Sequence, residues 1–223
     1  MKPFQNADGG INLSVREYDI ASATAIAKGQ VVEVDTGLVT ACAAAQTTKI
    51  IGIAAENHTG AADALNPRSN GKKILVYDGP GLVSQCPAPR VTAAAGGSAT
   101  TIVSSGTYLA AGLANDDFNG GYVRLVSKAG GSENTDEIGK VRRITDYVTA
   151  TFTFTVESGG TPAAGDVYEV FPPFGFGKGN FDTGIQKLIL TATAALPVKV
   201  VSHDWEHGLV GMMASLHGLG VEE

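Results

Sequence analysis

Cysteine is scarce: the 223 residues hold two, Cys42 and Cys86. That excludes a disulfide framework of the kind that holds small secreted domains together, and both thiols read as small buried apolar groups. Charge is sparse as well. Asp, Glu, Lys and Arg make up 17% of the chain and the formal net charge is −6, whereas soluble domains average about a quarter charged residues. With 16 basic against 22 acidic residues, the chain lacks the Lys and Arg excess that phosphate-backbone binding requires, so no nucleic-acid partner is expected. No apolar run is long enough to span a membrane, so no membrane partner is expected either. Met1 to Asn6 lacks the apolar stretch of a signal peptide, and synthesis in the cytoplasm is expected. An amphipathic helix of ordinary length is missing too.

What the chain has in quantity is glycine, 29 residues of it, with many Ala and Thr and 43% hydrophobic residues. A real core is within reach, and the small residues suit thin, close-packed strands joined by many turns. Val31 to Val34, the turn Asp35-Thr36-Gly37 and Leu38 to Cys42 read as a β-hairpin, with Lys49 to Ile53 as a third short strand. Lys73 to Tyr77 is a further strand, and Leu82-Val83 starts another that Pro87 and Pro89 end. Gly121 to Val126, Gly139 to Ile144 and Asp166 to Phe171 continue the pattern, the last broken by Pro172-Pro173. The clearest alternation is Thr151-Phe152-Thr153-Phe154-Thr155-Val156, aromatic side in and threonine side out. Ile185 to Thr193 and Val198 to Val201 add two strands, and the tail from Gly208 to Gly220 suits a strand or a short helix.

The expected fold is therefore all-β: two small β-barrel or β-sandwich-like modules of short strands, with an extended N-terminal arm. Residues 1–22 are the arm, 23–105 the first module and 106–173 the second, with the small and polar residues 93–105 as a linker. Residues 174–223 are expected to rejoin the first module, which makes the second an insertion. The arm has sparse apolar positions and little to bury alone, so it needs a surface to dock on.

Three enzyme-like motifs are present. Asp-Thr-Gly occurs at 35–37 and again at 182–184, and two such aspartates sharing a proton would make an aspartic peptidase. Its apolar-apolar-Gly partners, Ile50-Ile51-Gly52 and Leu209-Val210-Gly211, follow too closely to close lobes of that size, and Asp35 falls where a hairpin turn is expected. His203-Asp204-Trp205-Glu206-His207 has the wording of an inverted zinc-peptidase motif. That chemistry needs a helix to bring both imidazoles onto one face, whereas strand residues precede this pentapeptide and Gly208 follows it. His203 and His207 are weak metal-ligand candidates in a polar loop on which Trp205 packs, and no cofactor is expected. Gly175-Phe176-Gly177-Lys178-Gly179 lacks the spacing and context of a phosphate loop. Lys140, Arg142 and Arg143 lie on one strand near acids and suit a solvated face or a subunit contact. No catalytic residue is assigned; the chain does not read as an enzyme, and an aspartic or zinc peptidase is the remote alternative.

Ala25 to Glu56 resembles the small β-domain of tailed-phage capsid decoration (cement) proteins and related head proteins. The likeness is carried by Ala25-Ile26-Ala27-Lys28-Gly29-Gln30-Val31-Val32, the turn Asp35-Thr36-Gly37, the return Val39-Thr40-Ala41 and the strand Ile50-Ile51-Gly52-Ile53-Ala54. Lys73 to Gly79 fits the following strand and turn. Asp117-Phe118-Asn119-Gly120, Gly139 to Ile144 and Asp166 to Val170 resemble a second β-unit of virion proteins. The resemblance implies a structural protein on the outer capsid surface of the virion, made in the host cytoplasm, that binds and stabilises major capsid protein subunits. It also implies a homo-oligomer, a trimer, and supplies no catalytic residues. Phe4, Ile11, Leu13, Val15 and Tyr18 of the arm are the candidates for capsid or oligomer contact. The alternative is a virion adhesin or host-surface module that binds carbohydrate, which exposed aromatics grouped around Tyr122, Tyr147 and Phe174 would favour.

Overall fold

The computed structural model describes residues 2–6, 14–20, 24–42, 50–59, 73–78, 82–105, 113–175, 180–182, 187–189 and 198–214. Among them every regular element is a β-strand, and the fold is all-β. The first nine strands are β1 (Lys2–Asn6), β2 (Val15–Asp19), β3 (Ala25–Ile26), β4 (Val31–Asp35), β5 (Leu38–Ala41), β6 (Ile50–Ala54), β7 (His58–Thr59), β8 (Lys73–Tyr77) and β9 (Leu82–Pro87). Then come β10 (Arg90–Thr92), β11 (Thr101–Val103), β12 (Tyr122–Ser127), β13 (Val141–Val148), β14 (Thr153–Val156) and β15 (Val167–Phe171). The last are β16 (Asn180–Asp182), β17 (Lys187–Ile189), β18 (Val198–Asp204) and β19 (Leu209–Ala214).

β2, β8, β6, β4 and β5 make a five-stranded sheet in that order. A parallel bridge from Ile20 to Val39 brings its two ends together, so the sheet curls into a half-barrel. Ile20, Ile26, Val32, Val39, Ala54, Ile74 and Val76 fill its interior, each 2% exposed or less. The β4–β5 hairpin turns on Thr36 (φ 50°) and Gly37 (φ 85°) between the paired residues Asp35 and Leu38. Two positive φ values in succession are the I′ geometry, whose twist matches that of the strands it joins.

β10, β15, β12, β13, β14 and β11 make a six-stranded antiparallel sheet. Its two outer strands also meet: Ala94 N donates to Val103 O at 2.7 Å and Ser105 N to Thr92 O at 2.9 Å, around the Ala93–Ser104 bridge. The sheet is thereby a closed barrel. Val123, Leu125, Ile144, Phe154, Val156, Tyr168 and Val170 point inward, with Phe118 set edge-on to Tyr147 at 4.7 Å. On β13 the buried positions are Arg142, Ile144 and then Tyr147. The step of three falls where the pairing slips between Ile144 and Asp146, a bulge that puts one residue out of phase and turns Tyr147 inward.

Residues 93–105 are therefore not a linker. Ala93 and Ile102 are 2% and 0% exposed, and β11 is a barrel strand paired with β14. Small residues serve there because the first and last strands of the barrel close on each other across them. The strand expected from Thr151 also starts later, since Phe152 adopts φ 49° in the loop that leads into β14.

β1, β9, β19 and β18 form a four-stranded sheet. Its buried Val200, Val210 and Met212 share one core with the barrel. The arm thus docks on its own chain, β1 on β9 and β2 on β8, and the β18–β19 hairpin returns to residues 82–87 through β19. The tail is strand as far as Ala214; 215–220 lie outside the described residues, as does most of 185–193 beyond Lys187–Ile189.

Candidate functional site

The site grows from the outer face of the barrel. On β12, Val123 and Leu125 point inward, so period two turns Tyr122 and Arg124 out. On β15 the same rule turns Glu169 and Phe171 out, and the register sets Tyr122 opposite Phe171 and Arg124 opposite Glu169. Arg90 of β10 faces Glu169 from the other side. Three neighbouring strands thus carry a cation–anion–cation row, with Glu169 only 3% exposed in the middle.

The β18–β19 hairpin lays its turn over this row. Arg124 Nη1 donates to the Trp205 carbonyl and, at 3.1 Å, to the Glu206 carbonyl. Gly208 (φ 68°) passes so close that a Cβ there would stand 2.7 Å from both Arg124 Nη2 and Glu169 Oε2. The turn is pinned at its carbonyls and at its glycine.

Its side chains build an aromatic cluster around His203. The imidazole lies 4.6 Å from the Phe174 ring at an interplanar angle of 25°, and 6.4 Å from Trp205 at 30°. Phe171 at 5.6 Å and Tyr122 at 6.1 Å meet it edge-on, and Tyr122 touches Trp205 at 4.9 Å. His203 Nε2 carries the proton and donates to Pro172 O at 2.8 Å. Burial lowers its pKa and favours the neutral ring. At the rim, His207 N donates to Asp204 Oδ1 at 3.1 Å, the main cause that holds the Asp204 carboxyl below its ordinary value. Phe174 and Trp205 stay 67% and 41% exposed. Chemically the cluster is a stacking surface, with the carboxylates of Asp204 and Glu206 next to Trp205 in sequence.

Of the histidine pair, His203 lies in β18 and His207 in the turn. His203 Nε2 donates to the Pro172 carbonyl and His207 Nδ1 pairs with the Asp204 carboxylate at 3.0 Å, while His203 Nδ1 is buried with no hydrogen-bond partner among the described residues. Among the described residues no group of three or more His, Cys, Asp or Glu is placed to hold a metal ion. Asp35 ends β4 at its hairpin turn, and Asp182 ends β16 in a different sheet. Of the aromatic group expected from the sequence, Tyr122 and Phe174 come together, whereas Tyr147 is fully buried against Phe118 and Phe154. Of the arm residues, Phe4 lies in β1, Val15 is 43% exposed on β2, and Tyr18 donates to Asp78, while Ile11 and Leu13 lie outside the described residues. Burial and the Asp78 hydrogen bond raise the Tyr18 pKa to about 12. Both cysteines are buried, and burial followed by the Glu33 charge pushes the Cys42 thiol up to about 12.

Arg142 corrects the reading of the basic trio. Lys140 and Arg143 are exposed, but Arg142 is 2% exposed and paired with Asp136 inside the barrel, with its Nη1 donating to Ala99 O at 3.2 Å. Its phase was legible, since Ile144 two residues on must face the core. Beside it Asp166 accepts from Asn134 Nδ2, Ser132 Oγ and the amides of Ala129 and Ala163. Above this network lies a depression of about 510 Å³ lined by Gly131, Glu133, Thr135, Thr161 and neighbours. Neither network carried a motif that a reading of the sequence could flag. No protein-family model, curated protein or solved structure matches the chain.

Proposed function

We propose that the protein is a structural virion protein that decorates and stabilises the outside of a tailed-phage capsid by binding major capsid protein subunits, as a homotrimer. The observation that carries this reading is the place of the two N-terminal strands. β1 is the outer strand of the four-stranded sheet and β2 that of the five-stranded one. Asp78 N donates to Ser14 O at 3.1 Å, which sets the phase of β2. The main-chain groups of Ser14, Arg16 and Tyr18 turn to β8, and those of Val15 turn away. β5 begins at Leu38, beside the Ile20–Val39 bridge, so the Val15 end of β2 runs past it. An edge of this kind accepts a strand from a partner. The resemblance of Ala25 to Glu56 to decoration proteins supports major capsid protein as that partner, and a symmetric trimer would let individually weak edges act together.

Co-sedimentation with empty expanded heads of the phage that encodes the chain tests the reading. Deleting the arm would strip two strands from their sheets, so Val15→Pro is the cleaner variant. It keeps the β2–β8 bonds and removes a donor from the edge on which, among the described residues, no strand is paired. Saturable binding of the natural protein is expected, weakened about tenfold or more in the variant, with circular dichroism unchanged. No binding by the natural protein, together with a monomer mass in solution, sinks the proposal.

A further inference from the structure

We infer that the aromatic cluster on the β18–β19 turn binds a neutral glycan, with Phe174 and Trp205 as its stacking surfaces. The site shares no residue with β1 or β2 and stands apart from the capsid reading.

Six large apolar side chains are exposed among the described residues, and the two aromatic ones flank the same imidazole. Single exposed apolar residues are ordinary and need no explanation. Two exposed rings on a common half-buried support do, because stacking on His203 and the grip of Arg124 on the Trp205 carbonyl orient them in advance. Rings held before binding lose little freedom on binding, which is why aromatic anchors recur in recognition surfaces.

The rim decides the ligand's chemistry. Asp204 and Glu206 bracket Trp205 in sequence, Asp204 about a third exposed and Glu206 exposed. Asp204 is held ionised by the His207 amide and imidazole. Carboxylates accept hydrogen bonds from hydroxyls and repel anions. Exposed Arg143 stands opposite Tyr122 and two arginines share Glu169, so the charges around the cluster are mixed and favour neither a polyanion nor a polycation. A proline-rich or apolar peptide would stack as well, but it would desolvate the carboxylates and offer them only main-chain N–H groups, none of them at proline. A pyranose satisfies both parts: its C–H face lies on an aromatic ring while vicinal hydroxyls reach the acceptors. The ligand class is thus an uncharged hexose or N-acetylhexosamine oligosaccharide, of the sort that coats a cell.

Trp205 is the single tryptophan of the chain, so its fluorescence reads the site directly. A glycan array selects neutral probes, and the full chain is then titrated with them, with chitotetraose, maltohexaose and mannohexaose as fixed members. A hyaluronate oligosaccharide and a proline-rich peptide serve as counter-probes. A saturable emission shift with at least one neutral probe is expected, at a Kd of about 10 µM to 1 mM. Phe174→Ala should weaken it about five- to tenfold while the melting curve and binding to heads stay as in the natural protein. A silent array with no shift at millimolar neutral sugar overturns the inference. So does a shift that Phe174→Ala leaves unchanged, or tighter binding of either counter-probe.

Discussion

Arg124 faces Glu169 across the β12–β15 pair and donates to its Oε2 from Nε at 3.0 Å and from Nη2 at 2.5 Å, the same guanidinium holding the turn at Trp205 and Glu206. One side chain thereby joins the barrel wall to the hairpin that carries the aromatic cluster. Arg90 takes the other oxygen of Glu169 at 3.0 Å.

Burial makes the two arginines unequal. Glu169 is 3% exposed and Arg124 16%, whereas Arg90 is 60% exposed. Arg124→Ala leaves a buried carboxylate short of its inner partner and is expected to lower the unfolding free energy by about 3–5 kcal/mol. Arg90→Ala removes a solvent-screened pair and is expected to lower it by about 1 kcal/mol or less. Urea unfolding measures both, and equal losses would show that the row does not lock the junction.

Gly208 and Gly37 both have positive φ, 68° and 85°, but different surroundings. A Cβ at Gly37 meets open space, so Gly37→Ala is expected to cost only the backbone term, about 1–2 kcal/mol. A Cβ at Gly208 meets Arg124 and Glu169 at 2.7 Å. Gly208→Ala is therefore expected to cost more than the other, and to raise hydrogen exchange of the amides from His203 to Val210. Equal losses in thermal melts would contradict the packing.

Thr36 is β-branched and holds φ 50° at the first turn position, where a I′ hairpin favours asparagine. Thr36→Asn is expected to stabilise the protein by about 0.5–1 kcal/mol. An unchanged or lower melting temperature would show that the Thr36 side chain contributes more than its backbone strain costs.

Burial pushes the Asp166 carboxyl up, but hydrogen bonds from Asn134, the Ala129 and Ala163 amides and Ser132 outweigh it and hold the group below its ordinary value. With the folded pKa below the unfolded one, the unfolded chain takes up protons first as pH falls. The stabilisation is full above the unfolded value of about 3.9 and is lost as pH drops through the folded value. Melting temperature should accordingly decline below about pH 5, and Asp166→Asn should be less stable at neutral pH with a flatter acid slope. A parallel slope in the variant would assign the acid loss to other carboxylates.

The strands were legible because side-chain alternation is a local rule. Ile74 and Val76, Val123 and Leu125, and Phe154 and Val156 each mark a face without reference to the rest of the chain. The hairpin turn at 35–37 was legible for the same reason, since a positive φ next to Gly37 is turn chemistry. Arg142 was misread because its charge outweighed its phase, although the alternation that placed Ile144 also placed Arg142.

The aromatic cluster shows the opposite case. Tyr122, Phe171, Phe174, His203 and Trp205 come from β12, β15, the loop after it and β18 with its turn, and no spacing relates them. They meet because Arg124 and Glu169 fall into register and hold one hairpin against the barrel. Likewise 93–105 looked like a linker until the Ala93–Ser104 bridge closed the sheet. By itself the sequence determined the all-β class, the turns and most strand phases, which depend on neighbours one or two residues away. Barrel closure, the inward arginine with its carboxylate and the grouping of the rings were decided only by tertiary structure, because they depend on register between strands far apart in the chain.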